Sequence, residues 1–254
     1  MQMTQEHRTE LATAAVARLL SLGFLPPSRE VAEEMADLAA ALEDELPPSA
    51  LRDHVAALRA SCPEAPSLDE QSGEHHRLFS GTVACPPYES SYAADPFQQA
   101  RQMSDVAGFY RAFGAEPSGP AADRPDQVGC ELEFFAYLLL TRVEAERADR
   151  PDDAAVCADA EDAFLRDHLG RWLGPFCREL EKVTVHETYR ALARLGQRFA
   201  VDELGRRGVT ADPVLARRIK TVVESDTFSC GAESQTAAGV LDEIMGRRGP
   251  TAGG

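Results

Sequence analysis

Apolar residues recur every three or four positions along most of this chain. Leu11, Ala15, Leu19 and Leu22 begin the pattern, and comparable spacings follow in one segment after another. Such spacing places the apolar side chains on one face of an α-helix. Alternating runs rich in valine, isoleucine and threonine, which are typical of strands, do not occur in the sequence. The pattern therefore predicts an all-α fold, a single-domain helical bundle of roughly eight to ten helices.

Residues that favour helix ends divide this pattern into separate helices. Ser28 and Ser49 each precede a segment with helical spacing, and we expect them to be N-caps. Gly174-Pro175 is expected to kink or restart a later helix, because proline cannot donate a backbone hydrogen bond. These positions supply provisional helix boundaries.

The length of the chain bounds its domain organisation. A chain of 254 residues can bury roughly three quarters of the surface that its unfolded state exposes, so it needs no disulfide or metal to hold a core. We predict one all-helical domain over residues 1–245. Residues 246–254, with the sequence GRRGPTAGG, are predicted to form a disordered tail.

The charge of the chain narrows the choice of partners. It has 42 acidic and 26 basic residues and a formal net charge of −16. Nucleic-acid binding needs cationic groups that displace counterions from phosphates, so this composition argues against it and favours a basic partner. No apolar run approaches the roughly 20 residues of a membrane helix, and the N-terminal residues lack the pattern of a secretory signal. We expect a cytoplasmic protein without stable membrane insertion.

Residues that could carry catalysis or bind metal are scattered through the sequence. The six cysteines form no C-x-x-C pair, and we expect reduced, mostly buried thiols. His75 and His76 are adjacent, so on a helix their side chains point about 100° apart and cannot chelate one ion. Glycine-rich nucleotide loops and nucleophile-elbow motifs do not occur. We therefore predict no catalytic residue, no metal site and no cofactor.

One enzymatic alternative stays open on the residues alone. Acidic residues cluster between residues 152 and 162, and such clusters hold magnesium in some helical enzymes. A cysteine that lies near a histidine in space could act as a nucleophile. Asp152 and Asp153 are equally typical of a helix start, where the helix dipole favours negative charge. The alternative is a helical enzyme with a magnesium-binding acidic cluster or a Cys/His site.

A proline-containing loop and the segments around it differ from the regular helical pattern. A Leu-Phe pair over residues 78–79 precedes the loop, which reads CPPYESSY over residues 85–92. The sequence GFYRAFG follows over residues 108–114, RPDQ over residues 124–127, and HLGRW over residues 168–172.

These segments resemble, in order and spacing, those of the TorD/DmsD/NarJ family of redox-enzyme maturation chaperones. The resemblance covers Glu74 to about Leu204 and implies an all-helical cytoplasmic chaperone rather than an enzyme. Members bind the twin-arginine signal peptide and the body of a molybdopterin-containing oxidoreductase subunit, and they hold it until its cofactor is inserted and before export. The loop, with Cys85 before the prolines, looks most like chaperones of the dimethylsulfide, ethylbenzene, selenate or chlorate branch of molybdenum enzymes. The implied partner is therefore the catalytic subunit of such an oxidoreductase, with its leader.

The chemistry of this implied ligand indicates which residues would bind it. A twin-arginine peptide carries two adjacent guanidinium groups and an apolar segment, so its receptor needs carboxylates at one end of an apolar groove. Prolines restrict the loop, so less entropy is lost when the peptide binds. Each chosen side chain could instead serve only the fold. The predicted peptide-binding residues are Phe79, Pro87, Tyr88, Glu89, Tyr92, Asp126, Gln127, Glu131 and Glu133.

Gln127 departs from the family pattern. The family has Pro-Asp-His where this chain has Pro125-Asp126-Gln127. Because glutamine cannot be charged, we do not expect a proton-linked release through this position, although its amide still donates and accepts hydrogen bonds. His168 and Trp172, one helical turn apart, are expected in the core.

Overall fold

The computed structural model of the protein describes residues 3–62, 68–80, 84–93, 96–116 and 124–212. These residues lie within one compact unit that spans Met1–Ile219. A second unit, Lys220–Gly254, lies outside the described residues. The predicted domain boundary at residue 245 and the predicted tail over residues 246–254 also lie there, and both stay predictions.

The described part of the chain is helical and has no strand. It contains nine α-helices, one 3-10 turn and one π-helical stretch. The elements are α1 (Gln5–Gly23), α2 (Arg29–Glu45), α3 (Ala50–Ser61), α4 (Leu68–Phe79), the 3-10 turn (Glu89–Tyr92), α5 (Pro96–Ala112), α6 (Val128–Arg147), α7 (Pro151–Phe164), the π-helical stretch (Leu165–Leu169), α8 (Gly170–Val183) and α9 (Glu187–Arg207). The prediction of an all-α fold is confirmed.

Side-chain caps fix the starts of the early helices. The Ser28 hydroxyl accepts a hydrogen bond from the backbone N–H of Val31 at 3.2 Å. The Ser49 hydroxyl accepts one from the N–H of Arg52 at 3.3 Å. Each bond satisfies a backbone donor that the first helical turn leaves free. Both predicted N-caps are therefore confirmed.

Helix α6 lies against the first helix of the bundle and carries part of its core. It packs against α1 and α7, while α8 packs against α9 and α9 packs against α3. Leu132, Phe135 and Leu139 on α6 are fully buried, and the Phe135 ring meets Phe199 of α9 edge to face at a centroid distance of 6.3 Å. None of the described helices is both long and apolar enough to cross a membrane.

A π-helical stretch, rather than the Gly174-Pro175 pair, interrupts the chain between α7 and α8. It spans Leu165–Leu169, and Pro175 lies inside α8. A Cβ atom on Gly170 would lie 2.4 Å from the carbonyl oxygen of Leu165, so only glycine fits there. The helix does not restart at Gly174-Pro175, whereas a kink there stays a prediction. The widened turn carries His168, which it directs towards the proline-containing loop.

Candidate functional site

A cleft of about 490 Å³ opens between the ends of α1, α4 and α5 and the start of α6. Its volume falls within the range of roughly 300–1,000 Å³ that is typical of ligand pockets. It suits a few side chains of a partner better than a folded surface. Its lining residues are Ser21, Phe24, Leu25, Pro26, His75, Phe79, Ser80, Pro87, Tyr88, Tyr110, Ala115, Glu116, Arg124, Gln127, Gly129, Cys130, Glu133, Phe134 and Tyr137.

Aromatic rings make two of the walls of this cleft apolar. Phe24, just after α1, meets Phe79 at the end of α4 edge to face, with centroids 6.1 Å apart. Tyr110 of α5 packs on Phe134 of α6 at 4.6 Å. The Tyr110 hydroxyl donates to the carbonyl of Pro125 at 2.7 Å, so its polar atom is satisfied. Two walls of the cleft are therefore lined by rings whose polar atoms do not need a ligand.

Backbone hydrogen bonds join the proline-containing loop to the start of α6. The N–H of Val128 donates to the carbonyl of Pro87 at 2.9 Å, and the N–H of Glu89 donates to the carbonyl of Asp126 at 2.9 Å. Tyr88 and Gln127 are thereby paired as an antiparallel bridge. Two segments that are almost 40 residues apart thus form one continuous wall.

Gln127 acts as the N-cap of α6. Its side-chain oxygen accepts from the N–H of Gly129 at 2.6 Å and from the N–H of Cys130 at 3.1 Å. A Cβ atom on Gly129 would lie 2.8 Å from that oxygen, so the glycine makes room for the cap. The residue that replaces the family histidine therefore has a structural role at the rim of the cleft.

Among the described residues, negative groups outnumber positive ones around the cleft, where the start of α6 and the guanidinium of Arg124 are the positive contributions. Helices α1, α4 and α5 end beside it, and the C-terminus of a helix carries roughly half a negative charge. The exposed carboxylates of Glu116 and Glu133 add to this. Glu133 is paired with Arg18 at 2.7 Å, whereas Glu116 has no ion pair or hydrogen bond with the other described residues. A cationic side chain would be attracted here.

Three further acids, Glu89, Asp126 and Glu131, lie fully buried behind the loop wall, and we call them the cleft acids. Nδ1 of His168 lies 3.0 Å from a carboxylate oxygen of Glu89. The indole N–H of Trp172 donates to Glu131 at 2.9 Å. Burial, and next the negative charge of Glu89, raises the pKa of Glu131 well above its usual value, so its neutral form is favoured.

Asp126, the third cleft acid, is held from two sides. The backbone N–H of Ser90 donates to its carboxylate at 3.0 Å. The guanidinium of Arg124 donates to both carboxylate oxygens, from Nε at 3.1 Å and from Nη2 at 3.3 Å. The same guanidinium lies 3.7 Å from the centre of the Tyr88 ring.

The structure divides the nine predicted peptide-binding residues into two sets. Five of them line the cleft, namely Phe79, Pro87, Tyr88, Gln127 and Glu133. The other four lie behind its wall, namely Tyr92, Glu89, Asp126 and Glu131. The Tyr92 hydroxyl donates to the carbonyl of Pro86 at 2.7 Å, which braces the loop from within. Of the four predicted carboxylates, only Glu133 is open to the cleft, where Glu116 is the second exposed acid of the described chain. Peptide binding by the nine residues stays a prediction.

Several cleft residues escaped the sequence reasoning. Phe24 and His75 belong to segments before the proline-containing loop, and Glu116 and Arg124 flank residues 117–123. Burial lowers the pKa of His75, although its contact with the Phe24 carbonyl, 3.4 Å away, opposes this. Only Arg124 had a usable signal, because it directly precedes the Pro-Asp pair.

The cysteines and the acidic run that suggested an enzyme have structural surroundings that do not favour catalysis. The five described cysteines are free, and burial raises the pKa of the Cys85 thiol to about 12, which disfavours the reactive thiolate. Glu161, in the acidic run, pairs with Arg142 and Arg207. Within the described ranges, no three or more histidine, cysteine or acidic side chains are placed to hold a metal ion.

Comparison with known proteins identifies similar chains. Residues 28–178 match the sequence profile of the family described as "Nitrate reductase delta subunit". A selenate reductase assembly chaperone protein from Thauera selenatis is 38% identical over 31% of this chain and 40% of its own length. A perchlorate reductase assembly chaperone protein from Dechloromonas aromatica is 30% identical over 37% of this chain and 42% of its own length. The chaperone protein TorD of Vibrio cholerae is 23% identical over 44% of this chain and 50% of its own length. The chain thus spans half or less of the length of these curated relatives.

Proposed function

Because this chain belongs to the nitrate reductase delta subunit family, which is that of the TorD/NarJ redox-enzyme maturation chaperones, we propose that its cleft binds the leader of a molybdopterin oxidoreductase. The family consists of assembly chaperones rather than enzymes. The leader would carry two adjacent arginines and an apolar segment. The chaperone would hold the catalytic subunit in the cytoplasm until its cofactor is inserted.

One observation carries this proposal: the cleft combines apolar aromatic walls with a negative rim. Phe24, Phe79 and Phe134 supply apolar surface. Three helix C-termini and the carboxylates of Glu116 and Glu133 supply the negative charge. An arginine-bearing apolar peptide needs both features side by side, whereas an acidic peptide would be repelled.

The charge of the whole chain supports the same ligand. A formal net charge of −16 attracts a cationic peptide over distances of the order of the Debye length, about 10 Å at 0.1 M salt. The leader should therefore associate faster at low ionic strength. Its apolar segment would contribute binding that persists when salt screens the charges.

A finer proposal concerns the identity of the client. Two relatives are named as assembly chaperones of a selenate reductase and of a perchlorate reductase. We propose that the client is the catalytic subunit of an oxidoreductase of that branch. The body of the client would contact the surface around the cleft, because a cleft of this size holds only a short segment.

The experiment that tests this function measures binding of a labelled synthetic peptide to the full chain. The peptide has two adjacent arginines followed by about 12 apolar residues, and a second peptide has lysines in place of the arginines. We expect saturable binding that prefers the arginine peptide and weakens as salt rises, because arginine alone offers a planar fork to a carboxylate. Absence of binding to either peptide at low salt would contradict the proposal.

Matched variants locate the binding in the cleft. Glu116→Gln combined with Glu133→Gln should weaken the arginine peptide by about tenfold at low salt, since two rim charges are lost. Asp152→Asn combined with Asp159→Asn removes the same charge from an exposed part of α7 that does not line the cleft. The α7 pair should have little effect. Equal losses in both double variants would show attraction to net charge rather than to this cleft.

A further inference from the structure

We infer that Arg124 occupies a guanidinium subsite of the cleft and that an arginine of the bound leader takes its place. The inference rests on the proposed function for the identity of the incoming arginine. The subsite itself consists of the Tyr88 ring, the Asp126 carboxylate and the Ser90 hydroxyl, and its ligand class is an alkylguanidinium.

The contacts of Arg124 are those of a complete arginine-binding site. Its guanidinium stacks on the Tyr88 ring at 3.7 Å and forks onto both oxygens of Asp126. Nη2 also donates to the hydroxyl of Ser90 at 3.3 Å. A stacked face and a bidentate carboxylate are what recognise a guanidinium rather than an ammonium group.

Asp126 explains why this subsite matters for an incoming ligand. The side chain of Asp126 is fully buried, whereas that of Arg124 is 36% exposed. The guanidinium of Arg124 therefore lies between the Asp126 carboxylate and the cleft. Asp126 was predicted from the sequence to bind a peptide arginine, and the structure shows it binding an arginine of its own chain.

A leader arginine can replace Arg124 without leaving a contact of the subsite unmade. A leader arginine would make the same stack and the same two hydrogen bonds, so neither Tyr88 nor Asp126 loses a contact. Burying Asp126 without a cation would be costly, and the exchange avoids that state. Arg124 would move into solvent, which its exposed fraction permits. Arg124 thus protects the subsite in the free chaperone and competes with the client.

The test compares leader affinity in Arg124→Ala and in a matched charge control. Arg111→Ala also removes one positive charge, from an exposed arginine on α5 whose Nε donates to the backbone carbonyl of Ala107. If Arg124 competes with the leader, Arg124→Ala should bind the arginine peptide about tenfold more tightly than wild type. Arg111→Ala should change the affinity much less. An affinity of Arg124→Ala equal to or weaker than that of Arg111→Ala would overturn the inference.

A second measurement needs no peptide. N-methylguanidinium should fill the space left in Arg124→Ala and raise its thermal midpoint relative to methylammonium at equal ionic strength. Wild type, whose subsite is filled, should show no such difference. If wild type binds the leader but Arg124→Ala shows neither tighter binding nor stabilisation by N-methylguanidinium, the subsite is wrong and the proposed function stands. Stabilisation without leader binding in any variant supports the subsite and contradicts the proposed function.

Arg124→Lys keeps the inference testable if Arg124→Ala does not fold. Lysine leaves Asp126 with a cation but offers neither the fork nor the planar stack, so it competes less well. The lysine variant should fold and bind the arginine peptide about threefold more tightly than wild type. An unchanged or weaker affinity in the folded Arg124→Lys protein would overturn the inference.

Discussion

Buried acids gather at two places in the bundle, and arginines are distributed unequally between them. Behind the cleft lie the cleft acids Glu89, Asp126 and Glu131. Where α1, α6, α7 and α9 meet lies a second set, which we call the ion-pair cluster. Its members are Glu10, Glu161, Glu203, Arg142, Arg206 and Arg207. The ion-pair cluster has three arginines for three acids, whereas the cleft acids have one arginine, one histidine and one indole.

The pKa values of the acids differ between the two places. Although burial alone would raise the pKa of Glu10, hydrogen bonds from Arg206 and Arg142 bring it below its usual value. Burial raises the pKa of Glu161 to about 7, although the guanidiniums of Arg207 and Arg142 lower it. Burial, opposed by the hydrogen bond from the Trp172 indole but by no guanidinium of the described residues, raises the pKa of Glu131 well above its usual value. The ion-pair cluster therefore matches each buried acid with an arginine, whereas in the described part of the chain the only guanidinium beside the cleft acids is that of the partly exposed Arg124.

Removing one arginine from the ion-pair cluster should have the largest effect on the protein. Arg207 is almost buried, and its guanidinium lies 2.7 Å from Glu161 and 3.4 Å from Glu203. Arg207→Met should lower the free energy of unfolding by about 3 to 5 kcal/mol, because it leaves the three buried acids of the cluster with only two guanidiniums, those of Arg142 and Arg206. Urea unfolding of the full chain measures this. Leader affinity of the folded fraction should not change.

Arg166→Met is the matched control for that loss. Arg166 pairs with Asp167 on the surface, where both side chains are about half exposed, and such pairs stabilise little. The urea midpoint of Arg166→Met should stay close to that of wild type. If both variants lose the same stability, the ion-pair cluster is not what holds α9 to α1, α6 and α7.

The helices of this fold can be predicted from the sequence, but the π-helical interruption between α7 and α8 cannot. Periodicity and serine caps depend on residues within one or two turns, so they can be read locally. The π-helical stretch depends on how closely Gly170 approaches Leu165. Pro175 gave a stronger local signal for a break, yet it is accommodated inside α8. A glycine in a helical pattern is a weaker signal than a proline, so the sequence reasoning did not single out Gly170.

The candidate site was predictable only in part, for a similar reason. The sequence of the loop singled out Pro87 and Tyr88, which both line the cleft, and their binding of a peptide stays a prediction. Burial of Glu89 depends on His168, 79 residues later in the chain, and burial of Glu131 on Trp172. A sequence shows that a carboxylate is present but not which distant donor covers it.

A smaller effect on stability is expected from Glu131, which should be neutral in the folded protein. Its folded pKa is raised, so above about pH 4.5 the folded state keeps a proton that the unfolded chain has released. Wild-type stability therefore falls as pH rises towards the folded pKa, by about 1.4 kcal/mol for each pH unit from this group. Because a glutamine side chain cannot titrate, the Glu131→Gln variant should gain stability relative to wild type as pH rises from 5 to 8.

Glu133→Gln on the same helix provides the control for this pH dependence. Glu133 is exposed, so its substitution should leave the stability curve parallel to that of wild type. Urea unfolding at several pH values measures both variants. A curve for Glu131→Gln that also runs parallel to wild type would mean that Glu131 is ionised, and the contrast with the ion-pair cluster would weaken.

The smallest expected effect concerns His75, which lies in the cleft wall. Its pKa is lowered by burial, so it is neutral at pH 7 and gains a positive charge as pH falls through that lowered pKa. A positive charge on His75 would repel a bound guanidinium, by roughly 0.7 kcal/mol for two charges about 6 Å apart in water, so leader affinity should fall by up to about threefold as pH is lowered from 7 through that pKa. His75→Gln cannot gain this charge and should lose less affinity over the same range.

Two controls apply to this pH dependence. The leader arginines do not titrate in this range, and stability measured in parallel separates loss of binding from unfolding. Identical pH profiles for wild type and His75→Gln would place the leader arginines away from α4 and leave the rim beside Arg124 as their position.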